Sequence, residues 1–278
     1  MQNIIQIKLP QNPDNAPFVN TYLIKNQRIL IDAGPANLQA YQILKQTLND
    51  NQIDFNSLNG IFITHHHLDH IGMLKLIPQT VPLIADPTIA YFSSKEYLND
   101  IIKFTNSLRL PNKVSQSLQN KLRSRYCPFI KRFKIINPHS INIFSRKLTG
   151  HSNSDYIFGF NQYLFTGDLV LKGIYFNKLT DIDPVSRNFL KNQSQLYIDS
   201  LEKISNNQTE VFLPGHGEIM QKEQLIQIIN KNLKLITKHQ QLIQKHKFEN
   251  YTKLKKLIFP SALKIDEYYY LSELMSFL

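Results

Sequence analysis

The sequence predicts an α+β protein in which amphipathic helices cover the faces of β-sheets. Short apolar segments rich in β-favouring residues alternate with helical patterns over most of the first 220 residues, and this order is typical of helices packed on sheets. Several of the predicted strands end on glycine next to histidine or aspartate. From residue 224 onward the pattern is helical, so we expect a small helical region at the carboxyl end.

Composition narrows the class of protein. The chain has 278 residues, and 32 Lys and Arg against 21 Asp and Glu give a net charge of +11, which favours anionic ligands. Cys127 is the only cysteine, so an internal disulfide framework is excluded and a reducing compartment is indicated. No apolar run approaches the roughly 20 residues that a membrane helix needs. We therefore expect a soluble, cytoplasmic protein with no membrane partner.

The amino-terminal segments predict three strands and a helix. Ile4 to Leu9 indicates an edge strand, and Val19 to Lys25 with Arg28 to Asp32 forms a hairpin. Apolar residues at helical spacing from Leu38 onward predict a helix that packs on the sheet. Asp32 ends a buried strand, where a carboxylate needs a partner or caps a turn or helix.

The densest cluster of metal-ligand residue types follows the next strand. Ile61 to Thr64 is predicted to be a buried strand, and His65, His67, Asp69 and His70 come within the six residues after it. Imidazole and carboxylate are ligands that zinc, iron and manganese share. A purification tag would lie at a terminus and would lack the aspartate, so the spacing predicts a metal site.

Val81 to Ala85 is predicted to be another buried strand, bounded by Pro82 and Pro87. About fifty residues of mainly helical pattern separate it from a strand predicted near Ile141 to Leu148. We call residues 89–134 the basic insertion, because they carry Lys95, Lys103, Arg109, Lys113, Lys121, Arg123, Arg125, Lys131, Arg132 and Lys134. The aromatic residues Phe104, Tyr126, Phe129 and Phe133 are interleaved with these charges. The pattern indicates either a binding surface for an anion with a stackable ring or a solvated helix face over an aromatic core.

Three later segments place further ligand types at strand ends. His151 follows Gly150, and the hairpin of Tyr156 to Phe160 and Tyr163 to Phe165 leads to Asp168. Glu210 to Leu213 is a last strand, after which His216 stands between two glycines. Two shorter helices, Thr252 to Phe259 and Tyr268 to Leu278, are predicted after the long helix that starts at Gln224, and the tyrosines 268–270 fit packing better than binding.

These motifs together resemble the metallo-β-lactamase superfamily. The matching series is Asp32, His65-x-His67-x-Asp69-His70, Gly150-His151-Ser152, Gly167-Asp168 and Pro214-Gly215-His216-Gly217. The resemblance implies a four-layer αββα sandwich, with two sheets face to face and helices outside. It further implies a catalytic domain over residues 1–220, which contains the basic insertion, and a small helical, winged-helix-like appendage over residues 221–278.

The resemblance also implies the roles of seven residues. One divalent ion would be held by His65, His67 and His151, the other by Asp69, His70 and His216, and Asp168 would bridge both. Asp69 and Asp168 are the predicted catalytic residues, with Asp69 orienting the attacking water and hydroxide generated between the ions as the nucleophile. Zinc is favoured for both ions, and iron and manganese accept the same ligands. Asp32 would lie beneath the metal ligands.

The expected activity is hydrolysis of a small anionic ester or thioester, of the acyl-CoA or glutathione-conjugate type. The seven ligands resemble those of glyoxalase II, but that enzyme's carboxyl-terminal glutathione-binding pattern is missing from this sequence. The alternative is a single-strand-specific endoribonuclease that binds RNA through the basic insertion. A non-hydrolytic diiron redox or binding module is a third possibility. Oligomeric state is not predicted.

Overall fold

Two β-sheets with helices on their outer faces make up the structure, a computed structural model that describes residues 3–11, 17–108, 110, 112–172, 178–189, 191–246, 251–259 and 267–277. The strands in these ranges are β1 (Ile4–Leu9), β2 (Val19–Ile24), β3 (Ile29–Ile31), β4 (Gly60–Phe62), β5 (Leu83–Ile84), β6 (Ile135–Ile136), β7 (Phe144–Lys147), β8 (Tyr156–Phe160), β9 (Tyr163–Gly167), β10 (Val211–Pro214) and β11 (Met220–Gln221). The α-helices are α1 (Leu38–Asp50), α2 (Leu68–Ile71), α3 (Lys95–Ser107), α4 (Asn112–Arg123), α5 (Gln193–Ser205), α6 (Lys222–Lys245), α7 (Tyr251–Ile258) and α8 (Glu267–Met275).

The strand order brings the ends of remote segments together. Within the described ranges the first sheet has the order β1-β2-β3-β4-β5-β6, and the second has the order β11-β10-β9-β8-β7. β3 and β4 are parallel, with Ile31 paired to Phe62. β9 and β10 are also parallel, with Gly167 paired to Pro214. Because parallel neighbours end at the same edge of a sheet, the loops after all four strands can contribute to one site.

Aromatic side chains fill the space between the two sheets. Tyr22 and Phe62 from the first sheet contact Phe165 and Phe158 from the second, with ring centroids 5.2 and 5.1 Å apart in edge-to-face geometry. All four rings are buried and belong to one hydrophobic cluster. Burial of rings of this size dominates the energetics of a core, so this layer holds the sandwich together.

Helices cover both outer faces. Leu44 and Leu48 of α1 lie in one hydrophobic cluster with the first sheet. Tyr197 of α5 and Leu225 of α6 lie in another, with Phe212 of the second sheet. The predicted four-layer αββα arrangement is therefore confirmed. The predicted domain boundary near residue 220 and the winged-helix likeness stay predictions, although α6 shares its cluster with the sheet.

The basic insertion packs against the carboxyl-terminal helix α8. Phe104 of α3 and Leu118 of α4 share a cluster with Leu271 and Met275 of α8. Phe133 is also buried, in the cluster of the first sheet. The aromatic residues Phe104 and Phe133 therefore belong to cores and cannot stack on a ligand.

The lysines and arginines of the basic insertion differ in their exposure to solvent. Most are exposed, namely Lys95, Lys103, Lys113, Arg123, Lys131, Arg132 and Lys134. Arg125 is buried, with 6% of its surface exposed. Arg109 lies outside the described residues. Lys121 is half-buried. The exposed charges thus form a solvated face over an aromatic core, whereas Arg125 is paired with Asp181 in the interior.

The structure differs from the prediction in the length and number of short elements. Val81 to Ala85 is predicted to be a strand, but only Leu83 and Ile84 pair as β5. Pro82 lacks the N–H that a ladder needs at the start of the strand. The two-residue strands β6 and β11 and the helix α5 have no counterpart in the prediction. In the described ranges no helix combines the length and apolar character that crossing a membrane requires.

Candidate metal centre

Three histidines from two loops form the first ligand group. His65 and His67 lie in the loop after β4, and His151 lies in the loop after β7. Their nitrogens lie within 4.8 Å of one another, and all three residues are buried. His151 Nε2 is 2.9 Å from His67 Nδ1. Residues two apart in extended chain point the same way, which lets His65 and His67 face one point.

Asp69, His70 and His216 form the second ligand group. Their ligand atoms also lie within 4.8 Å of one another, and His216 Nε2 is 3.2 Å from Asp69 Oδ2. His216 Nδ1 donates to the carbonyl oxygen of Phe18 at 2.8 Å. A carbonyl only accepts, so this bond keeps the proton on Nδ1 and turns Nε2 toward the group.

Asp168 lies between the two groups. Its Oδ2 is 3.7 Å from His151 Nε2 and 3.4 Å from His216 Nε2, and its Oδ1 is 3.4 Å from His70 Nε2. The parallel pairing of β9 with β10 produces this position, because Gly215 N donates to Gly167 O at 2.8 Å. The structure therefore brings all seven sequence-predicted site residues together, with Asp168 in contact with histidines of both groups.

Asp32 contacts the second ligand group through His70. His70 Nδ1 lies 2.8 Å from Asp32 Oδ2, while the backbone N–H and the hydroxyl of Thr64 each donate to the same carboxylate at 2.8 Å. The side chain that caps α1 belongs to Asn37, not to Asp32. Of the two alternatives that the sequence left open for Asp32, contact with the functional site is the one observed.

The charges of the two ligand groups differ. Burial lowers the pKa of His65 and His67 well below the ordinary range and that of His151 to about 4, so these histidines are neutral at pH 7. Burial acts to lower the pKa of His70 and His216 as well, but the negative charges of Asp168 and neighbouring carboxylates outweigh this effect. They raise the pKa of His70 well above its ordinary value and that of His216 to about 10.

The unsatisfied atoms in the centre fit bound cations. His65 Nε2, His70 Nε2 and Asp168 Oδ1 are buried and have no hydrogen-bond partner within the described residues. Buried polar atoms are normally satisfied, and exceptions call for an explanation such as an ion. Imidazole and carboxylate are suitable ligands for a divalent metal, so the residues present can hold one in each group.

The two groups should bind metal with different pH dependence. His216, with a pKa of about 10, is protonated at pH 7 in the metal-free protein, so an ion must displace that proton. We expect affinity at the second group to rise by about tenfold per pH unit per proton between about pH 6 and about pH 9. Affinity at the first group should change little, because its histidines are already neutral. Titration calorimetry in buffers with different ionisation heats counts the protons released, and equal release at both groups would contradict the assignment.

Replacing Asp32 with Asn should weaken metal binding at the second group. The substitution removes the charge that His70 Nδ1 faces, and loss of such a partner typically lowers metal affinity or activity by about 10- to 100-fold. Asp86 is a matched control, since it is also buried and follows the neighbouring strand β5 but pairs with Lys147 instead of a predicted ligand. Chelator competition with Zn²⁺ measures the effect, and equal affinities for Asp32→Asn and Asp86→Asn would contradict it.

Sequence reasoning left out several residues that contact the centre. His66, between two predicted ligands, points away from them and lies 2.7 Å from Asp181 Oδ2. Asp155 accepts hydrogen bonds from the backbone N–H groups of His151 and Ser152 at 3.0 and 2.7 Å and so shapes the loop that carries His151. Burial raises the pKa of Asp155 to about 8. For Asp155 the sequence offered its closeness to His151 as a signal, whereas Asp181 had none.

Two other histidines are placed away from the centre. His139 Nε2 is 3.2 Å from the hydroxyl of Tyr156, and His239 Nδ1 is 2.8 Å from Glu273 Oε1. Neither residue belongs to a ligand group in the described part of the chain. Their omission from the predicted site is consistent with these contacts.

Comparison with known proteins points to one family. The model of the family described as "Metallo-beta-lactamase superfamily" matches residues 14–216. A curated relative, "Probable metallo-hydrolase YqjP" of Bacillus subtilis, is 24% identical over 233 residues, covering 78% of this chain and 72% of that protein.

Solved structures show the same fold. The metallo-beta-lactamase family protein TTHA1429 from Thermus thermophilus superposes with a TM-score of 0.68 at 16% identity, covering 99% of this chain and 93% of that one. A beta-lactamase domain protein from Burkholderia ambifaria superposes with a TM-score of 0.72 at 17% identity, covering 99% of this chain and 84% of that one. At these identities the likeness shows the fold alone.

Proposed function

Because the chain belongs to the metallo-beta-lactamase superfamily and is a metal-dependent hydrolase, we propose that it hydrolyses a small anionic ester or thioester of the acyl-CoA or glutathione-conjugate type. The observation that carries the proposal is the convergence of two ligand groups around one shared carboxylate, Asp168. We propose two divalent ions, zinc before iron or manganese, held by the first and second ligand groups.

The side chains of the centre have distinct tasks. Divalent ions bound there would lower the pKa of a water molecule toward about 7 and polarise the substrate carbonyl. Asp69 is the most open of the seven side chains, with 28% of its surface exposed. Burial acts to raise the pKa of Asp69, but the charges of His70 and His216 outweigh this effect and lower the pKa below its ordinary value. An ionised Asp69 at the mouth of the centre can accept a hydrogen bond from the attacking water and orient it.

Burial of the centre supports a small reacting group. His65, His70 and His216 each have at most 4% of their surface exposed, so the scissile bond must reach into a recess. The excess of 11 positive charges in the chain, many of them exposed on the basic insertion, supports an anionic substrate. Together these features favour a compact acyl group on an anionic carrier.

A panel of thioesters and esters tests the proposal. Purified protein loaded with Zn²⁺, Mn²⁺ or Fe²⁺ is assayed against acyl-CoA, glutathione and simple ester substrates, beside His67→Ala as the matched inactive variant. Turnover that His67→Ala abolishes supports the proposal. If no substrate in the panel is turned over, or if the variant keeps wild-type turnover, the proposal fails.

The second candidate is a single-strand-specific endoribonuclease. The exposed lysines and arginine of α3 and α4, Lys95, Lys103, Lys113 and Arg123, favour it, because such side chains bind a phosphate backbone. Its signature is RNA binding that weakens steeply with salt, together with metal-dependent cleavage. If the protein lacks both properties, this candidate is excluded.

The third possibility is a non-hydrolytic diiron module. Metal analysis with optical spectra after mild purification tests it.

A further inference from the structure

His66 is anchored on the side of the chain that faces away from the ligand groups. Its backbone N–H donates to Ser154 Oγ at 3.1 Å, and its Nδ1 lies 2.8 Å from the same hydroxyl. Its ring stacks on Phe92, with centroids 3.6 Å apart and an interplanar angle of 8°. The remaining ring nitrogen lies 2.7 Å from Asp181 Oδ2. His66 is fully buried, so three different segments fix its ring.

Asp181 is fixed in turn by the basic insertion. Its Oδ1 accepts from the backbone N–H of Ile182 at 2.9 Å and lies 3.2 Å from Arg125 Nη1. Arg125 Nη1 also donates to the carbonyl oxygen of Thr180 at 3.0 Å, and Arg125 Nη2 donates to the hydroxyl of Tyr268 on α8. Because the guanidinium is buried in these contacts, it does not face solvent as a binding group for substrate.

A third metal site does not explain this cluster. His66, His67 and Asp181 have ligand atoms within 4.8 Å of one another, which by distance alone would allow an ion. The Arg125 guanidinium already neutralises Asp181 at 3.2 Å and would repel a cation there. The cluster is therefore a buried ion-pair network in contact with the loop that carries His65 and His67.

Immobilising His66 restrains both of its neighbours in the chain. Side chains alternate in an extended segment, so His65 and His67 face the ligand groups only while His66 faces the opposite side. A rotation of the backbone at His66 would turn both ligands away from the first group. Residues that hold the ring of a non-ligand can thus set the geometry of two ligands.

We propose that Asp181 and Arg125 are positioning residues of the hydrolytic centre, acting through His66 to hold the loop that carries His65 and His67. The inference rests on the proposed function. It makes the basic insertion and the helix α8 part of the support of the metal centre, rather than a substrate-binding surface alone. Neither residue needs to touch the substrate.

The test compares Zn²⁺ affinity in four proteins by competition with a chromogenic chelator. Wild type, Asp181→Asn, Arg125→Lys and Arg187→Gln are titrated well below their melting temperatures, which are recorded without metal. Asp181→Asn keeps the shape of the side chain but loses its charge. Arg125→Lys keeps the charge but loses the planar guanidinium that contacts both the Thr180 carbonyl and the Asp181 carboxylate. Arg187→Gln is the matched control. Arg187 lies in the same segment as Asp181 and pairs with Asp100 at 2.6 Å, but it does not contact His66.

We expect Zn²⁺ affinity to fall by about 10- to 100-fold in Asp181→Asn and in the same direction in Arg125→Lys, and to stay unchanged in Arg187→Gln. A lower melting temperature with wild-type affinity in both variants would overturn the inference, since it indicates support of the fold alone. An equal loss of affinity in Arg187→Gln would overturn it as well. If one of the two variants does not fold, the other decides. Wild-type Zn²⁺ binding without turnover would refute the proposed function but leave this comparison intact, whereas a wild type that binds no Zn²⁺ would refute both.

Discussion

Replacing Asp168 with Asn is expected to lower kcat/KM for the hydrolysed substrate by roughly 10²- to 10⁴-fold, the range found when a positioned catalytic group is lost. Asp168 contacts histidines of both ligand groups at 3.4 to 3.7 Å. Burial acts to raise its pKa, but His216 and His70 outweigh burial and hold the pKa well below the ordinary value. Asn has nearly the same shape but no charge, so it cannot replace the carboxylate that we propose both groups share.

Asp100→Asn is the matched control for this experiment. Asp100 is also a buried carboxylate, paired with Arg187 at 2.6 Å and with the hydroxyl of Tyr91 at 2.9 Å, but it lies on α3 and contacts no predicted ligand. We expect its activity to stay within about threefold of wild type, as for a substitution remote from the reacting atoms. An Asp168→Asn protein that keeps more than about one tenth of wild-type kcat/KM would contradict the role assigned to Asp168.

The substitution of Gly215 by Ala should abolish most of the activity with the fold intact. A Cβ at this position would lie 2.3 Å from Asp168 Oδ1 and 2.6 Å from His70 Cε1, so both side chains would have to move. The backbone of Gly215 is outside the left-handed region, so alanine itself is tolerated there. Since a displacement of about 1 Å can reduce catalysis by roughly 100-fold, we expect a loss of that order in kcat/KM.

Gly159→Ala separates this effect from general crowding. A Cβ at Gly159 would approach Phe144 Cδ1 at 2.9 Å, but the Phe144 ring is half exposed and can swing into solvent. We therefore expect wild-type kcat/KM in Gly159→Ala. Melting temperature and kcat/KM are measured on both variants. A Gly215→Ala protein as active as Gly159→Ala would show that the approach of Gly215 to Asp168 is not required.

Most of the fold could be predicted because the apolar pattern is local. The bounds of β1 agree with the prediction to the residue, and the observed hairpin of β8 and β9 agrees closely with the predicted one, since alternation and turn residues act over a few positions. Strands of two residues such as β6 and β11 leave no periodic signal. In addition, β6 pairs with β5, which is distant in the chain. The packing of two sheets face to face was available only through the family resemblance.

The candidate site was predicted in part. Seven residues at strand ends were singled out from their types and from the family motif, and the structure brings them together. Asp32 remained ambiguous in the sequence because a carboxylate after a strand suits a cap as well as a site. The parallel pairing of β3 with β4 resolved it, since that pairing places Asp32 beside Thr64 and within 2.8 Å of His70.

The sequence by itself determined the class of chemistry, because the ligand types and their spacing predict a metal site and the series of motifs resembles a family of metal-dependent hydrolases. Only the tertiary structure decided which other residues support that chemistry. Asp181 meets Arg125 across 56 positions of the chain, and no local pattern marks that contact. The same packing buries Arg125 while the neighbouring basic residues remain in solvent. Charge can be counted from a sequence, but burial and pairing depend on which segments the fold brings together.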